Sequence, residues 1–241
     1  RLLEWATFAL GWPGMQPDVF RKERIVAVPD ERFRDETRRI LRHGLVCAAA
    51  GSICLYVAHR LRSRSEIAVA LLALVGLSLV LHFGLFDLVT SFWRSRGVPC
   101  RPPFRQPLRS TSLNEFWGKR WNVPYVEMVA AVLYRPLAGA TSRPLARFAS
   151  FAFSGLLHEL AISLPVRAGW GGPLLYFALQ GFFVLAEERS PAWKRAPAAA
   201  RRVVTLLLVV LPAPLLFHLP FVRGVIEPIV GCVPPGSTTP S

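Results

Sequence analysis

Residues 145–166 read LARFASFAFSGLLHELAISLPV, and inside them 153–163, FSGLLHELAIS, set His158 and Glu159 side by side in a run that is otherwise apolar or small. At 1.5 Å of rise per residue, about 20 such residues cross a hydrocarbon core of ~30 Å. Ionisable groups at that depth are expensive, and by default they mark a functional site. Comparable apolar runs occur at about 40–59, 66–90, 170–187 and 203–222. Pro212 and Pro214 are expected to kink or break the last of these. Residues 125–140 are too short to span comfortably and read as a re-entrant or interfacial helix. Residues 1–12 are half a span at most, followed by a WPGM turn at 12–15. The expected fold is therefore all-α, a multi-pass transmembrane helical bundle of about five to six spans plus that shorter helix. It forms a single integral-membrane domain over 1–232, with a disordered tail at 233–241.

Composition supports a membrane protein and argues against a soluble one. Hydrophobic residues make up 52% and charged residues 18% of the 241-residue chain, and the mean hydropathy is +0.37. The net charge of +14, from 29 Lys and Arg against 15 Asp and Glu, would suit nucleic acid if it lay on one folded face. Instead the basic residues fill the breaks between apolar runs. Twenty-two fall in 21–42, 91–143 and 188–202, against five in 60–65, 166–169 and 223–241. That bias places the long basic loops in the cytoplasm and argues against a nucleic-acid partner. The high Arg, Ala and Pro content fits a GC-rich bacterial genome, and hence the bacterial cytoplasmic membrane. Four cysteines, at 47, 54, 100 and 232, show neither CxxC nor metal spacing, so they read as packing residues. Cys47 and Cys54 share a helix face.

The HEL triplet is not a zinc-protease helix, because the residue four after His158 is Ile162. No metal site is expected. His158 sits on a stripe with Ser154, Phe151 and Arg147. Arg147 lies roughly 16 Å back along the axis, which suits a channel for a long substrate with a charged head. Glu159 points about 100° away from His158 and would orient a neighbouring polar group or pair with an arginine. His82 and His218 read as hydrogen-bonding residues between helices, and Asp87 as an interfacial carboxylate paired with Arg94 or Arg96.

A second constellation is STSLNEFWGKRWNVP, residues 110–124, with Trp117, Trp121, Lys119, Arg120 and Asn122 close together. Composition alone would allow an aromatic belt at headgroup depth. Ser112 followed by Glu115 also reads as a capping box opening a short helix.

The loop Phe116-Trp117-Gly118-Lys119-Arg120-Trp121-Asn122, followed some 35 residues later by a histidine in the hydrophobic helix SGLLHEL, resembles the membrane-bound O-acyltransferase superfamily. Within it the chain is most similar to the wax-synthase-like branch, the long-chain-alcohol fatty-acyltransferases. Asn122 is the superfamily's commoner residue at a position where some plant wax synthases carry His. The WPGM turn and LHFGLFDL at 81–88 add to the resemblance, which covers roughly 1–190.

The resemblance implies transfer of a fatty acyl group from acyl-CoA, a co-substrate with no further cofactor, to the hydroxyl of an apolar alcohol in a membrane tunnel. His158 would be the catalytic base, since neutral imidazole can take a proton from an alcohol. Asn122 would stabilise the developing oxyanion or orient a reactant. Trp117, Trp121 and Ser154 would line the substrate path, and Lys119, Arg120 and Arg147, with Arg101, Arg105 and Arg109, would hold CoA phosphates. Acylation of another lipid or secondary-metabolite hydroxyl is the neighbouring alternative. Two other classes stay open on the residues alone. One is a proton-coupled transporter using His158 and Glu159 as a relay. The other is a non-catalytic truncated member lacking N-terminal helices, in keeping with the Arg1 start and with a superfamily that has more spans.

Overall fold

The computed structural model describes residues 17–62 and 65–231. Expectations for 1–12, for the WPGM turn and for the tail 233–241 fall outside them. The described residues are helical, with no strand among them. Four helices are long and apolar enough to cross a membrane: α1, Glu31–Arg60; α2, Glu66–Ser95; α4, Arg143–Val166; and α6, Ala198–Leu216. Among the shorter helices are α3, residues 123–140, and α5, Gly172–Arg189. This is the all-α architecture of an integral membrane protein.

Local chemistry sets the helix starts. The α1 cap is Asp30, whose carboxylate accepts from the Phe33 amide at 2.7 Å. Ser65 caps α2, and Ser142 caps α4 with Pro144 in its first turn, where a missing N–H costs nothing. Leu45, Val46 and Ile53 of α1 and Leu71 and Val75 of α2 face outward, as lipid-facing side chains do.

The chain divides into two compact units, 1–104 with 229–241, and 105–228. In the first, α1 and α2 pack together. Arg94 is buried in this unit and lies 2.6 Å from Glu36 Oε2, with further bonds to Thr37 and the Cys100 carbonyl. Asp87 therefore pairs with neither Arg94 nor Arg96; its partner is His43, at 2.6 Å. The expected arginine is taken by a carboxylate on the facing helix. Outside the spans, burial pushes the Cys100 thiol up to about 12, so it is an inert packing group.

In the second unit α5 is the inner helix. Pro173, Tyr176, Phe177, Gln180, Gly181, Val184 and Glu187 are all buried along it. A helix walled by protein can carry polar groups that a lipid-facing helix cannot. Gln180 and Glu187 lie on that buried face of 172–189, expected as a span from 170 to 187, while Glu188 and Arg189 at its end are exposed. Helix α6 breaks after Val210 and resumes at Ala213, as the two prolines predict. Pro212 has no N–H to give the Leu208 carbonyl. Gln180 Nε2 donates to that carbonyl instead, at 2.8 Å, and the Tyr176 hydroxyl donates to Val209 O at 3.1 Å.

Candidate active site

Apart from Arg101, the site residues read from the sequence lie in the second unit, where α4 and α5 run against each other. The approach is close because Gly155 has no side chain. A Cβ there would sit 2.9 Å from the Leu174 Cα, which is backbone and cannot turn aside.

His158 ends the regular part of α4. Its Nδ1 lies 2.7 Å from the Ser154 carbonyl oxygen. A carbonyl can only accept, so Nδ1 carries the proton and neutral imidazole keeps its lone pair on Nε2. The ring packs on Phe177 of α5, with centroids 4.4 Å apart. Immediately after His158 the backbone opens into a wide π turn, Glu159–Ser163, of the kind that recurs at functional sites.

The loop 110–122 is clamped onto an adjoining face of α5, where Trp117 also meets Phe151 of α4. Trp117 donates its indole N–H to Gln180 Oε1 at 3.0 Å, and its ring lies 5.6 Å from that of Phe177. Trp117 and His158 thus meet over one aromatic ring. Trp121 stacks on Phe116 at 5.5 Å. At the base of the loop the buried Glu187 carboxylate accepts from the Leu113 amide at 2.9 Å.

Asn122 adopts the left-handed conformation, φ 44° and ψ 55°, at the start of α3, and its side chain makes no capping bond. Asparagine tolerates that region better than other non-glycine residues. Three residues on, the Tyr125 hydroxyl donates to Ser154 Oγ at 2.9 Å. Ser154 Oγ in turn donates to the Ser150 carbonyl at 3.0 Å. The Asn122 helix start and the His158 turn are therefore tied through Tyr125 and Ser154.

Of Lys119, Arg120 and Arg147, the two arginines are engaged within the protein. Arg120 grips Glu115 Oε1 through Nε and Nη2, at 2.8 and 2.6 Å, and bonds the Arg105 carbonyl. Glu115 was expected to complete a capping box with Ser112. Ser112 Oγ does accept from the Glu115 amide, but the carboxylate turns to the Thr111 amide, at 2.8 Å. Burial draws the Glu115 carboxyl upward, yet the bonds from Thr111 and the Arg120 guanidinium outweigh it and hold the group below its ordinary range. Arg147 pairs with Glu188. Lys119 is exposed.

Glu159 caps α5 rather than meeting an arginine. Its Oε1 accepts from the Gly171 and Leu174 amides at 2.8 and 3.1 Å. Helix α5 opens Gly171-Gly172-Pro173, without a capping side chain of its own, so α4 supplies one. Glu159 Oε2 is buried with no partner among the described residues. His218 bonds Ser163 Oγ and the Phe221 amide, and His82 bonds Ser78 of its own helix. Among the described residues no group of three or more His, Cys, Asp and Glu is placed to hold a metal ion.

Residues 100–180 match the membrane bound O-acyl transferase family. Residues 116–122 and 154–160, the two stretches that carry the resemblance, lie inside that match. Similar proteins include the probable long-chain-alcohol O-fatty-acyltransferase 9 of Arabidopsis thaliana, 32% identical over 53% of this chain and 42% of that protein. The acyl-CoA–sterol O-acyltransferase 1 of the same plant is 32% identical over 48% of this chain and 37% of its own length. The long-chain-alcohol O-fatty-acyltransferase of Simmondsia chinensis is 32% identical over 37% and 26%. The chain therefore spans less than half the length of each of these relatives. No solved structure matches. Tyr125, Phe177, Gln180 and Glu187 were missed as site residues. Gln180 alone carried a signal, as the polar residue midway through an apolar run.

Proposed function

We propose that this chain is a membrane-embedded O-acyltransferase. It moves a fatty acyl group from acyl-CoA to the hydroxyl of an apolar acceptor, a long-chain alcohol first, giving a wax ester. The observation that carries the reading is the His158–Ser154 bond, which leaves Nε2 as the acceptor nitrogen of a ring that packs on Phe177, as the motif tryptophan does. His158 Nε2 takes the proton of the alcohol, and the alcohol oxygen attacks the thioester carbonyl. The carbon–sulfur bond then breaks and the CoA sulfur leaves with that proton. Asn122, whose amide makes no capping bond, donates to the oxygen on which charge develops. Acyl-CoA is a co-substrate and no cofactor takes part. Lys119 serves the CoA phosphates better than Arg120 or Arg147, whose guanidiniums already hold carboxylates.

The same proposal places the chain in a bacterial cytoplasmic membrane with 21–42, 91–143 and 188–202 on the cytoplasmic side, supported by the distribution of Lys and Arg. A sterol is the second acceptor to try, because one similar plant protein is a sterol acyltransferase by name.

The test feeds labelled palmitoyl-CoA with hexadecanol, or with a sterol, to membranes carrying the chain or His158→Ala. Ester from the parent, reduced at least a hundredfold in the variant, supports the reading. Equal ester from both removes His158 from the chemistry. Silence with every acceptor from folded protein leaves a non-catalytic member.

A further inference from the structure

The loop that carries Trp117 and Asn122 and the helix that carries His158 are separate segments, and one buried side of α5 touches both. Phe177, Gln180, Val184 and Glu187 lie along it. Their spacing of three, four and three residues confines them to an arc of about 80°, and Phe177 and Glu187 stand roughly 15 Å apart along the axis. Phe177 carries the His158 ring, with centroids 4.4 Å apart. Gln180 holds the Trp117 indole N–H at 3.0 Å. Glu187 holds the start of the loop. Both of its carboxylate oxygens accept from the Leu113 amide, at 2.9 and 3.2 Å, and the Asn114 amide lies beside them as a further donor.

The local helix start explains why a carboxylate is needed there. Residues 113–120 are helical, and the first amides of such a segment find no acceptor within it. The Glu115 amide goes to Ser112 Oγ at 3.0 Å, and the Phe116 amide goes to the Ser112 carbonyl at 2.9 Å. The Leu113 and Asn114 amides are left for a group from elsewhere in the fold, and Glu187 is that group. Negative charge is favoured at a helix N-terminus by the amides and by the helix dipole together. Leu113 is fully buried and Glu187 is 8% exposed, so the bond is made away from water.

We propose that Glu187 is a positioning residue for acyl transfer. It fixes the start of the loop to the helix that seats His158, while Gln180 fixes the middle of the loop at Trp117. Two points of attachment on one rigid helix set where Trp117 and Asn122 stand relative to His158, and the loss of one lets the loop pivot about the other. Glu187 touches no substrate. Its effect on rate rests on the acyl-transfer reading, whereas its effect on the loop does not.

The test has two readouts on the full chain in lipid nanodiscs. The first is a distance and needs no activity. Spin labels are placed at Gly118→Cys in the loop, where an added Cβ meets Asn114 Oδ1 at 3.7 Å and no closer atom, and at Leu156→Cys on the exposed face of α4. The four native cysteines are replaced by alanine. Double electron–electron resonance should give one narrow distance distribution. It should broaden at least twofold in Glu187→Leu and narrow again in Glu187→Gln, which keeps an oxygen for the Leu113 amide. The second readout is ester synthesis from palmitoyl-CoA and hexadecanol. A displacement of about 1 Å at reacting groups costs up to ~100-fold in rate, so Glu187→Leu should lower kcat at least tenfold, with KM for the acyl-CoA changed less than threefold. Glu187→Gln should recover to within threefold of the parent. A purely structural role would reduce the amount of folded protein and leave both the distance and the kcat per folded molecule unchanged, and that result overturns the proposal. So does a Glu187→Gln variant as impaired as Glu187→Leu. Should Glu187→Leu fail to fold, Glu187→Asp, one methylene shorter, must show the broadening, and an unchanged distribution there overturns the proposal equally. No ester from the parent together with a broadened distance overturns the acyl-transfer reading and leaves the clamp standing, which separates the two failures.

Discussion

His158 is anchored by the backbone carbonyl of Ser154, 2.7 Å from its Nδ1, and not by the Ser154 hydroxyl, which bonds Tyr125 and the Ser150 carbonyl. Ser154→Ala keeps the carbonyl. It should therefore retain more than a tenth of the parent's rate in the ester assay. It also strands the Tyr125 hydroxyl, which costs about 1 kcal/mol of stability in a thermal-unfolding measurement in detergent. A loss as deep as that of His158→Ala would mean that the hydroxyl itself reaches substrate.

Gln180 satisfies two groups that have no other partner of their own kind nearby, the Trp117 indole N–H and the Leu208 carbonyl orphaned by Pro212. Gln180→Leu should destabilise the protein by about 2–5 kcal/mol, because both groups stay buried and unpaired. Pro212→Ala returns an N–H to position 212. In that background the cost of Gln180→Leu should be smaller, and the double-mutant cycle should show coupling of about 1 kcal/mol or more. Strict additivity would show that the Leu208 bond contributes nothing.

Gly155→Ala tests the close approach of α4 and α5. The added Cβ meets the Leu174 backbone at 2.9 Å, so the helices must part. The expected cost is about 1–3 kcal/mol, with a loss of ester synthesis, since His158 and Phe177 sit on the two helices that separate. A variant with parental stability and activity would refute the packing argument.

Glu115 links stability to pH. Its folded carboxyl titrates below its ordinary value, so the contribution is fully present above the unfolded pKa of about 4.3 and fades as pH falls through the folded value. The stability difference between the parent and Glu115→Gln should be constant near neutrality and shrink toward zero in acid. Thermal unfolding at a series of pH values below 7 measures it. A difference that grows in acid would reverse the sign.

Most of the helices were legible from apolar runs and from prolines. The break in α6 follows from Pro212 and Pro214 lacking N–H groups, which any sequence displays. The partners that repair such breaks were not legible, because Gln180 and Tyr176 reach Leu208 and Val209 across the fold. Glu159 is the same case, since the start that it caps, Gly171-Gly172-Pro173, belongs to another helix. The capping box at Ser112 was half right. Its serine behaves as local chemistry dictates, while Glu115 is drawn to Thr111 and Arg120. Arg120 comes within reach because the chain closes a wide turn over Phe116–Arg120. Arg120 and Arg147, expected to bind phosphate, proved to be ion-paired, because a loop reading counts charges without their carboxylates.

The wide turn after His158 carries a consequence for register. The Leu164 amide returns to the Glu159 carbonyl, five residues back instead of four, so the turn holds one residue more than an α-helix needs. The extra residue advances every side chain from Ile162 onward by about 100° relative to a straight helix. It is what brings Ser163 inward to meet His218. Excising a single residue between Leu160 and Ile162 would let the backbone relax into an uninterrupted helix and rotate Ser163 away from His218, leaving His158 on its own turn. Relatives should accordingly tolerate a one-residue insertion or deletion here more readily than at Ser154. Those without the extra residue should have no partner for a histidine at position 218.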